Sequence, residues 1–142
     1  GGTLAVDPVL TVLVDEVARA SRNLHNWARK YQLKDGQKGR MTLLNNWEAT
    51  YFDFNEEKLC NLMGDAVKLG VDMFLLDDGW FGNKYPRHGD TQGLGDWQET
   101  ANKLPGKVTK LVEEAQKKGI KFGIWIEPEM VNPKSKNDVV LI

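Results

Sequence analysis

Two adjacent carboxylates, Asp77 and Asp78, close an apolar run and are followed by a glycine and a tryptophan. A short apolar run of this kind is typical of a strand that is buried on both faces of a parallel sheet. Because side chains alternate along a strand, the two carboxylates cannot point into one packed face. Left unpaired at a buried strand end they would repel each other, so both need hydrogen-bond donors. A polyhydroxylated ligand is one source of donors, and backbone N–H groups or an arginine of neighbouring loops are the other.

Further carboxylates and tryptophans follow two other apolar runs. Trp47 comes after residues 41–46, and Trp125, Glu127 and Glu129 close a later run. Carboxylates accept hydrogen bonds from hydroxyl groups, and indole faces pack against the C–H faces of a sugar ring. This combination of residue types indicates a carbohydrate site.

The elements that must position these residues alternate between strand and helix. Asn55 is suited to cap a helix that ends at Gly70. Pro105 is suited to the first position of a second helix, which ends at Gly119. The order strand, helix, strand, helix, strand predicts an α/β fold of parallel βα units with right-handed crossovers. The carboxyl ends of such strands meet at one edge, where α/β barrels and doubly wound sheets build their sites.

The N-terminal section has a different pattern. A strand-like lead-in covers residues 3–14, and a helical period begins near Asp15. A connector with two glycines over residues 34–39 marks the boundary. We therefore predict a lead-in strand and a linker helix over residues 1–39, and three βα units over residues 40–142.

Composition excludes several classes of function. The chain has 142 residues and a formal net charge of -1, and its Lys and Arg residues are dispersed, which argues against binding to nucleic acid or anionic membranes. We interpret Cys60 as an apolar packing residue and His25 and His88 as surface or packing residues, so we expect neither a metal nor a cofactor. The sequence has neither a P-loop nor a G-x-G-x-x-G motif after the first strand, so no motif supports nucleotide binding. No apolar stretch reaches membrane-spanning length, and no recognisable signal peptide begins the chain, which favours a cytoplasmic setting unless a leader has been removed.

Four segments carry a resemblance to a known family. In chain order they are LLNNWEATYFDF, FLLDDGWFGNKYPR, GLGDW and KFGIWIEPEMVNPKS. They closely resemble the bacterial α-galactosidases of glycoside hydrolase family 36, over roughly residues 22–136. The resemblance implies the first three units of a (β/α)8 TIM barrel, with a large β-sandwich domain before them. It also implies hydrolysis of terminal α-galactosides such as melibiose and raffinose, with retention at the anomeric carbon.

The resemblance also implies which residues bind the sugar. Asp77 and Asp78 match the pair that binds galactose hydroxyls, O4 and O6. Trp47 matches the indole beside that sugar, and Trp125 is a second contact. No catalytic residue is assigned among them.

Four more acidic residues lie in the matching segments. The resemblance places Glu127 and Glu129 in positions that hold the rim of the site rather than break bonds. For Asp53 and Asp96 the default interpretation is a hydrogen bond to backbone within their own loops.

The catalytic carboxylates of the family do not match this sequence. Retaining hydrolysis needs a nucleophile and an acid/base about 5–5.5 Å apart. In the family that the chain resembles, the nucleophile lies in a Lys-Trp-Asp motif after the fourth strand, and the acid/base comes later. No such motif occurs here. We therefore expect the chain to supply recognition residues without the nucleophile and acid/base, and to be inactive alone.

Two other functions stay open. A raffinose-synthase-like galactosyl transferase shares the DDGW strand, although LGDW and EPEM favour the hydrolase. A non-catalytic galactose-binding or assembly module fits the missing nucleophile. The expected partners are a small-molecule α-galactoside and either a second copy of the chain or the missing barrel strands. A second copy or further strands are expected because three strands leave open sheet edges. The side chains expected to face the barrel interior would also lack an opposing wall. These are Leu43, Phe74, Leu76 and Ile124.

Overall fold

The structure, a computed structural model, describes residues 15–135. The lead-in strand predicted over residues 3–14 and the apolar end over residues 139–142 lie outside them. The chain divides between Arg40 and Met41 into two units, which are considered separately. The assignment of two domains, 1–39 and 40–142, stays a prediction.

The first unit contains the predicted helix. Helix α1, Val17–Trp27, is continued by one π-helical turn, Ala28–Gln32. None of the residues of α1 is buried, and Val17 is 85% exposed. The rings of Trp27 and Tyr31 contact each other with their centroids 6.1 Å apart. Residues 15–40 therefore form a helix without a hydrophobic core of their own.

The second unit is built on a three-stranded parallel sheet whose strands lie side by side in chain order. Phe74 in the central strand pairs with Leu44 on one side and Phe122 on the other. The prediction of an α/β fold with three parallel strands is confirmed for the part of the chain that the structure describes. In chain order the elements are β1 (Leu43–Asn45), α2 (Trp47–Thr50), α3 (Glu56–Lys68), β2 (Met73–Leu76), α4 (Lys107–Lys118) and β3 (Lys121–Ile124).

The ends of α3 and α4 follow local sequence signals, with one exception. Asn55 accepts a hydrogen bond from the N–H of Lys58 at 2.9 Å and caps α3 as expected. Gly70 and Gly119 have φ values of +76° and +73°, which terminate the two helices in the left-handed conformation. These three predictions are confirmed.

The predicted start of α4 is wrong. Pro105 precedes the helix instead of opening it, because a turn from Leu104 to Lys107 comes first. The N–H of Gly106 donates to the carboxylate of Glu56 at 2.8 Å, which ties this turn to the start of α3. A tertiary contact therefore sets the boundary that a local propensity did not.

The hydrophobic core lies on one face of the sheet. Phe74 and Leu76 are fully buried in one cluster with Leu59 of α3 and Leu111 of α4. Their neighbours on β2 are only partly buried, so this face of the sheet is the one that the helices cover.

The prediction of which side chains face the barrel interior is therefore wrong for Phe74, Leu76 and Ile124. Phe74 and Leu76 face the helices, and Ile124, in register with Leu76, lies on their face. Leu43 pairs with Met73 and so lies on the opposite face. Strand alternation defines two faces, but the packing of the helices decides which of them is the core.

Among residues 15–135, no helix has the length and apolar character needed to cross a membrane.

Candidate functional site

Asp77 lies directly after β2, and its position is set by two asparagines at the end of β1. The amide Nδ2 of Asn45 donates to Oδ2 of Asp77, and Oδ1 of Asn45 accepts from the N–H of Trp47 at 2.7 Å. The fully buried Asn46 accepts from the N–H of Asp77 at 2.8 Å. Asn45 thereby connects the backbone of Trp47 to the carboxylate of Asp77. Asp77 itself is only partly buried.

Asp78 has a different environment, because a buried arginine binds its carboxylate. Arg87 Nε lies 3.0 Å from Oδ1 of Asp78, and Arg87 Nη2 lies 2.9 Å from Oδ2. Arg87 Nη1 donates to the carbonyl of Gln92 at 3.0 Å and to Oδ1 of Asn132 at 3.3 Å. A fork of this kind is a strong, charge-assisted arrangement. Asp78 therefore receives donors from the protein itself.

A buried lysine lies beneath the same loops. Lys103 Nζ donates to the carbonyls of Gly79, Phe52 and Arg87, at 2.8, 2.9 and 3.3 Å. Burial lowers the pKa of Lys103 to about 8, and the negative charges of Asp78 and then Asp53 oppose this shift. The three carbonyls satisfy the hydrogen-bond donors of this buried ammonium.

The two tryptophans predicted to contact a sugar follow the outer strands. Trp47 packs edge-on against Phe52, with ring centroids 4.9 Å apart. The backbone N–H of Trp125 donates to the carbonyl of Leu76 at 2.8 Å. The backbone carbonyl of Trp125 accepts from the indole N–H of Trp80 at 2.9 Å. Trp47 follows β1, Asp77 follows β2 and Trp125 follows β3. Because β2 is the central strand, Asp77 follows the strand that lies between the other two.

The remaining acidic residues lie farther from this centre. Glu127 and Glu129 lie on a turn after β3, and Glu129 is exposed. Asp53 is a surface residue with a side chain 92% exposed, and its ion pair with Lys58 at 2.9 Å lowers the pKa of its carboxyl. Asp96 is buried in the long loop, and its backbone N–H donates to the carbonyl of Gly93 at 3.0 Å.

Among residues 15–135, the cysteine and the histidines make no hydrogen bond to Asp77 or Asp78. Cys60 packs against the core, and burial raises the pKa of its thiol. His88 is exposed in the long loop, and His25 lies in α1. Within residues 15–135, no group of three or more His, Cys, Asp or Glu side chains is arranged to hold a metal ion.

Sequence reasoning missed three residues of this centre. The run of amides at the end of β1 was a signal for Asn45, since polar groups at strand ends carry sites in parallel sheets. An arginine is one of the donors expected for the acidic pair, which gives the residue type of Arg87 but not its position in the chain. No local pattern distinguishes Lys103 from the other lysines.

Comparison with known proteins identifies the family. The Melibiase family profile matches residues 6–139. Alpha-galactosidase 1 of Pediococcus pentosaceus is 42% identical over 139 residues, which are 96% of this chain and 19% of that protein. The chain belongs to the Melibiase family, the α-galactosidases of glycoside hydrolase family 36. This confirms the resemblance carried by the four segments.

Solved structures agree with this assignment. The GH36 alpha-galactosidase AgaA of Geobacillus stearothermophilus matches with 43% identity and a TM-score of 0.77, over 82% of this chain and 16% of that chain. A variant of the same enzyme in complex with raffinose matches with 42% identity and a TM-score of 0.77, over the same shares. This chain spans less than a fifth of the length of each of these proteins.

Proposed function

We propose that this chain supplies the galactose-recognition part of a retaining α-galactosidase that hydrolyses terminal α-D-galactosides of the melibiose and raffinose type. One observation carries the proposal: Asp77 is fixed by Asn45 at the end of β2, and Trp47 and Trp125 follow the strands on either side. The raffinose bound to the Geobacillus variant supports this substrate class.

The proposed contacts follow from the chemistry of each group. The carboxylate of Asp77 accepts from one hydroxyl of galactose, and the Trp47 indole packs against the C–H face of the ring. A carboxylate offers about four acceptor directions, so Asp78 retains capacity for a sugar hydroxyl beside its bonds to Arg87. Galactose and glucose differ in the direction of O4, and a site that hydrogen-bonds this hydroxyl discriminates between them. Trp125 is the second aromatic contact.

The turn after β3 has a supporting part in this proposal. Glu127 and Glu129 position the rim of the site and do not attack the sugar. Neither residue hydrogen-bonds to Asp77 or Asp78 within the residues that the structure describes.

Bond cleavage is proposed to use carboxylates outside residues 41–135. A retaining mechanism needs a nucleophile and an acid/base about 5–5.5 Å apart across the scissile bond. Asp77 and Asp78 are neighbours at a strand end and so diverge, which keeps them from approaching one bond from both sides. Asp78 is also neutralised by Arg87. The chain taken alone is therefore proposed to recognise the sugar without cleaving it.

The sheet is proposed to be part of a (β/α)8 barrel. Two observations support this: α3 and α4 share one core with one face of the sheet, and Met73 and Leu75 on the other face are only partly buried. In a barrel this second face meets side chains from further strands. Those strands, from the rest of an enzyme or from a second copy of the chain, would also pair with the outer edges of β1 and β3.

Titration with methyl α-D-galactopyranoside, followed through the indole N–H signals in NMR, tests the recognition. The signals of Trp47 and Trp125 should shift with the galactoside and much less with the matching glucoside. Asp77→Asn should abolish most of the shift, whereas Asp65→Asn, which removes an exposed ion pair with Lys68 on α3, should not. Equal responses to both sugars would contradict galactose recognition.

A further inference from the structure

Lys103 has no part in the sugar contacts proposed above, although its charged group is placed in the middle of them. It lies in the loop between β2 and α4, and only 7% of the residue is exposed. Burying an ammonium is costly unless donors are fully used. An ordinary loop lysine would lie in water, so this placement needs a reason.

Each carbonyl that Lys103 binds belongs to a residue beside a proposed sugar contact. Phe52, at 2.9 Å, has its ring against the indole of Trp47. Gly79, at 2.8 Å, directly follows Asp78. Arg87, at 3.3 Å, binds the carboxylate of Asp78 through its side chain. One ammonium therefore joins the loop after β1 to two positions of the loop after β2.

The surrounding chain holds Lys103 in this position. Its backbone carbonyl accepts from the N–H of Glu56 at 3.0 Å, and its Nζ lies 4.5 Å from the centre of the Phe54 ring. Gly79 has a φ of +95°, and a Cβ there would lie 2.8 Å from a ring carbon of Phe52 and 3.4 Å from Nζ of Lys103. A glycine is required for so close an approach.

We infer that Lys103 is a positioning residue for sugar recognition, which sets the separation between Trp47 and the carboxylates after β2 by tying their loops together. The inference rests on the proposed function. It assigns Lys103 no contact with the sugar. Its effect passes through the backbone of Phe52, Gly79 and Arg87.

The protonation state of Lys103 matters for this role. An ammonium has three N–H donors for three carbonyls, and a neutral amine has two. The charged and titratable groups that face it are Asp53 and Asp78, which favour its charge, and Arg87 and His88. Burial, and to a smaller extent the charge of Lys103, holds the pKa of His88 below its ordinary value. Burial lowers the pKa of Lys103 to about 8, so its ammonium loses its proton between pH 7 and 9.5.

The first experiment compares Lys103→Met with a matched control. Methionine has a similar length but donates no hydrogen bond. Lys117→Met is the control, since it removes an exposed ion pair with Glu114 within α4, 2.8 Å long, away from the residues that hold Lys103. In Lys103→Met we expect faster amide hydrogen exchange in residues 47–53 and 77–82 and roughly tenfold weaker binding of methyl α-D-galactopyranoside. Lys117→Met should show neither change.

The second experiment uses the unmutated chain and does not depend on the folding of a variant. Its affinity for methyl α-D-galactopyranoside should fall several-fold from pH 7 to pH 9.5. A folded Lys103→Met variant should show no such fall. A flat profile in the unmutated chain, or a folded Lys103→Met variant with unchanged exchange and affinity, would overturn the inference.

The two proposals fail in different ways. If the unmutated chain does not bind the galactoside at pH 7, the proposed function is wrong, and the role of Lys103 in recognition is wrong with it. If the galactoside binds and Asp77→Asn weakens it, while Lys103→Met and high pH change nothing, only the inference about Lys103 is overturned.

Discussion

Arg87 binds both carboxylate oxygens of Asp78, at 3.0 Å from Oδ1 and 2.9 Å from Oδ2, and the two side chains are only 4% and 11% exposed. The neighbouring Asp77 is instead partly buried and bound by the neutral amide of Asn45. The two carboxylates are adjacent in sequence, yet among residues 15–135 only Asp78 is paired with a counter-charge. Their substitutions should therefore have different consequences.

Removal of the arginine should destabilise the fold. Arg87→Met leaves the charge of Asp78 buried without its partner, which costs about 3–5 kcal/mol of unfolding free energy. Arg87→Lys should recover only part of this loss, because an ammonium cannot form the fork. Urea unfolding measures both. As the control, Lys58→Met breaks the exposed pair with Asp53 and should cost much less, because water screens an exposed pair. Equal losses for Arg87→Met and Lys58→Met would contradict a structural role for the buried pair.

Substitution of the two aspartates should separate recognition from stability. Asp77→Ala should weaken binding of a galactoside by roughly ten- to a hundredfold, the loss of a hydrogen bond to a charged acceptor worth about 1.5–3 kcal/mol. It should also reduce the preference for galactose over glucose. Asp78→Ala should lower the melting temperature as well, since it leaves Arg87 buried without a carboxylate. Binding constants for both sugars and melting curves check this. An unchanged preference for galactose over glucose, with a lowered melting temperature in both variants, would show that the two aspartates only stabilise the fold.

The chain alone should not hydrolyse an aryl α-galactoside above background. The physical reason is that its two adjacent carboxylates diverge at a strand end and so cannot flank a glycosidic bond. The assay compares the unmutated chain with Asp77→Asn and Asp78→Asn. Turnover by the unmutated chain that both variants lose would show that a catalytic pair lies within residues 1–142.

The stability of the fold should depend on pH through Lys103. In the unfolded chain a lysine keeps its proton up to about pH 10.5, whereas burial lowers the folded pKa to about 8. Between these values the unfolded state binds more protons, so the unfolding free energy rises with pH. The gain, relative to Lys103→Met, should reach at most about 3 kcal/mol. Urea unfolding of both proteins at pH 7.5 and 10 measures it, and a parallel response of the two proteins would exclude a lowered pKa.

Local patterns in the sequence were enough for the elements and for the position of the acidic pair. Asn55, Gly70 and Gly119 determine helix ends through their own side-chain and backbone preferences, which act over a few residues. The apolar run before Asp77 likewise marks a strand by its length and composition. These signals are local, so the sequence alone determined a parallel α/β fold with two carboxylates at a strand end.

The partners of those carboxylates were decided by the tertiary structure. Asn45 is 32 residues from Asp77, and Lys103 is 51 residues from Phe52, so no local period relates them. Alternation along β2 distinguished two faces, yet only the packing of α3 and α4 decided that Phe74 belongs to the core. Burial, counter-charge and the choice of face depend on what lies across the fold, and a single stretch of sequence does not contain that information.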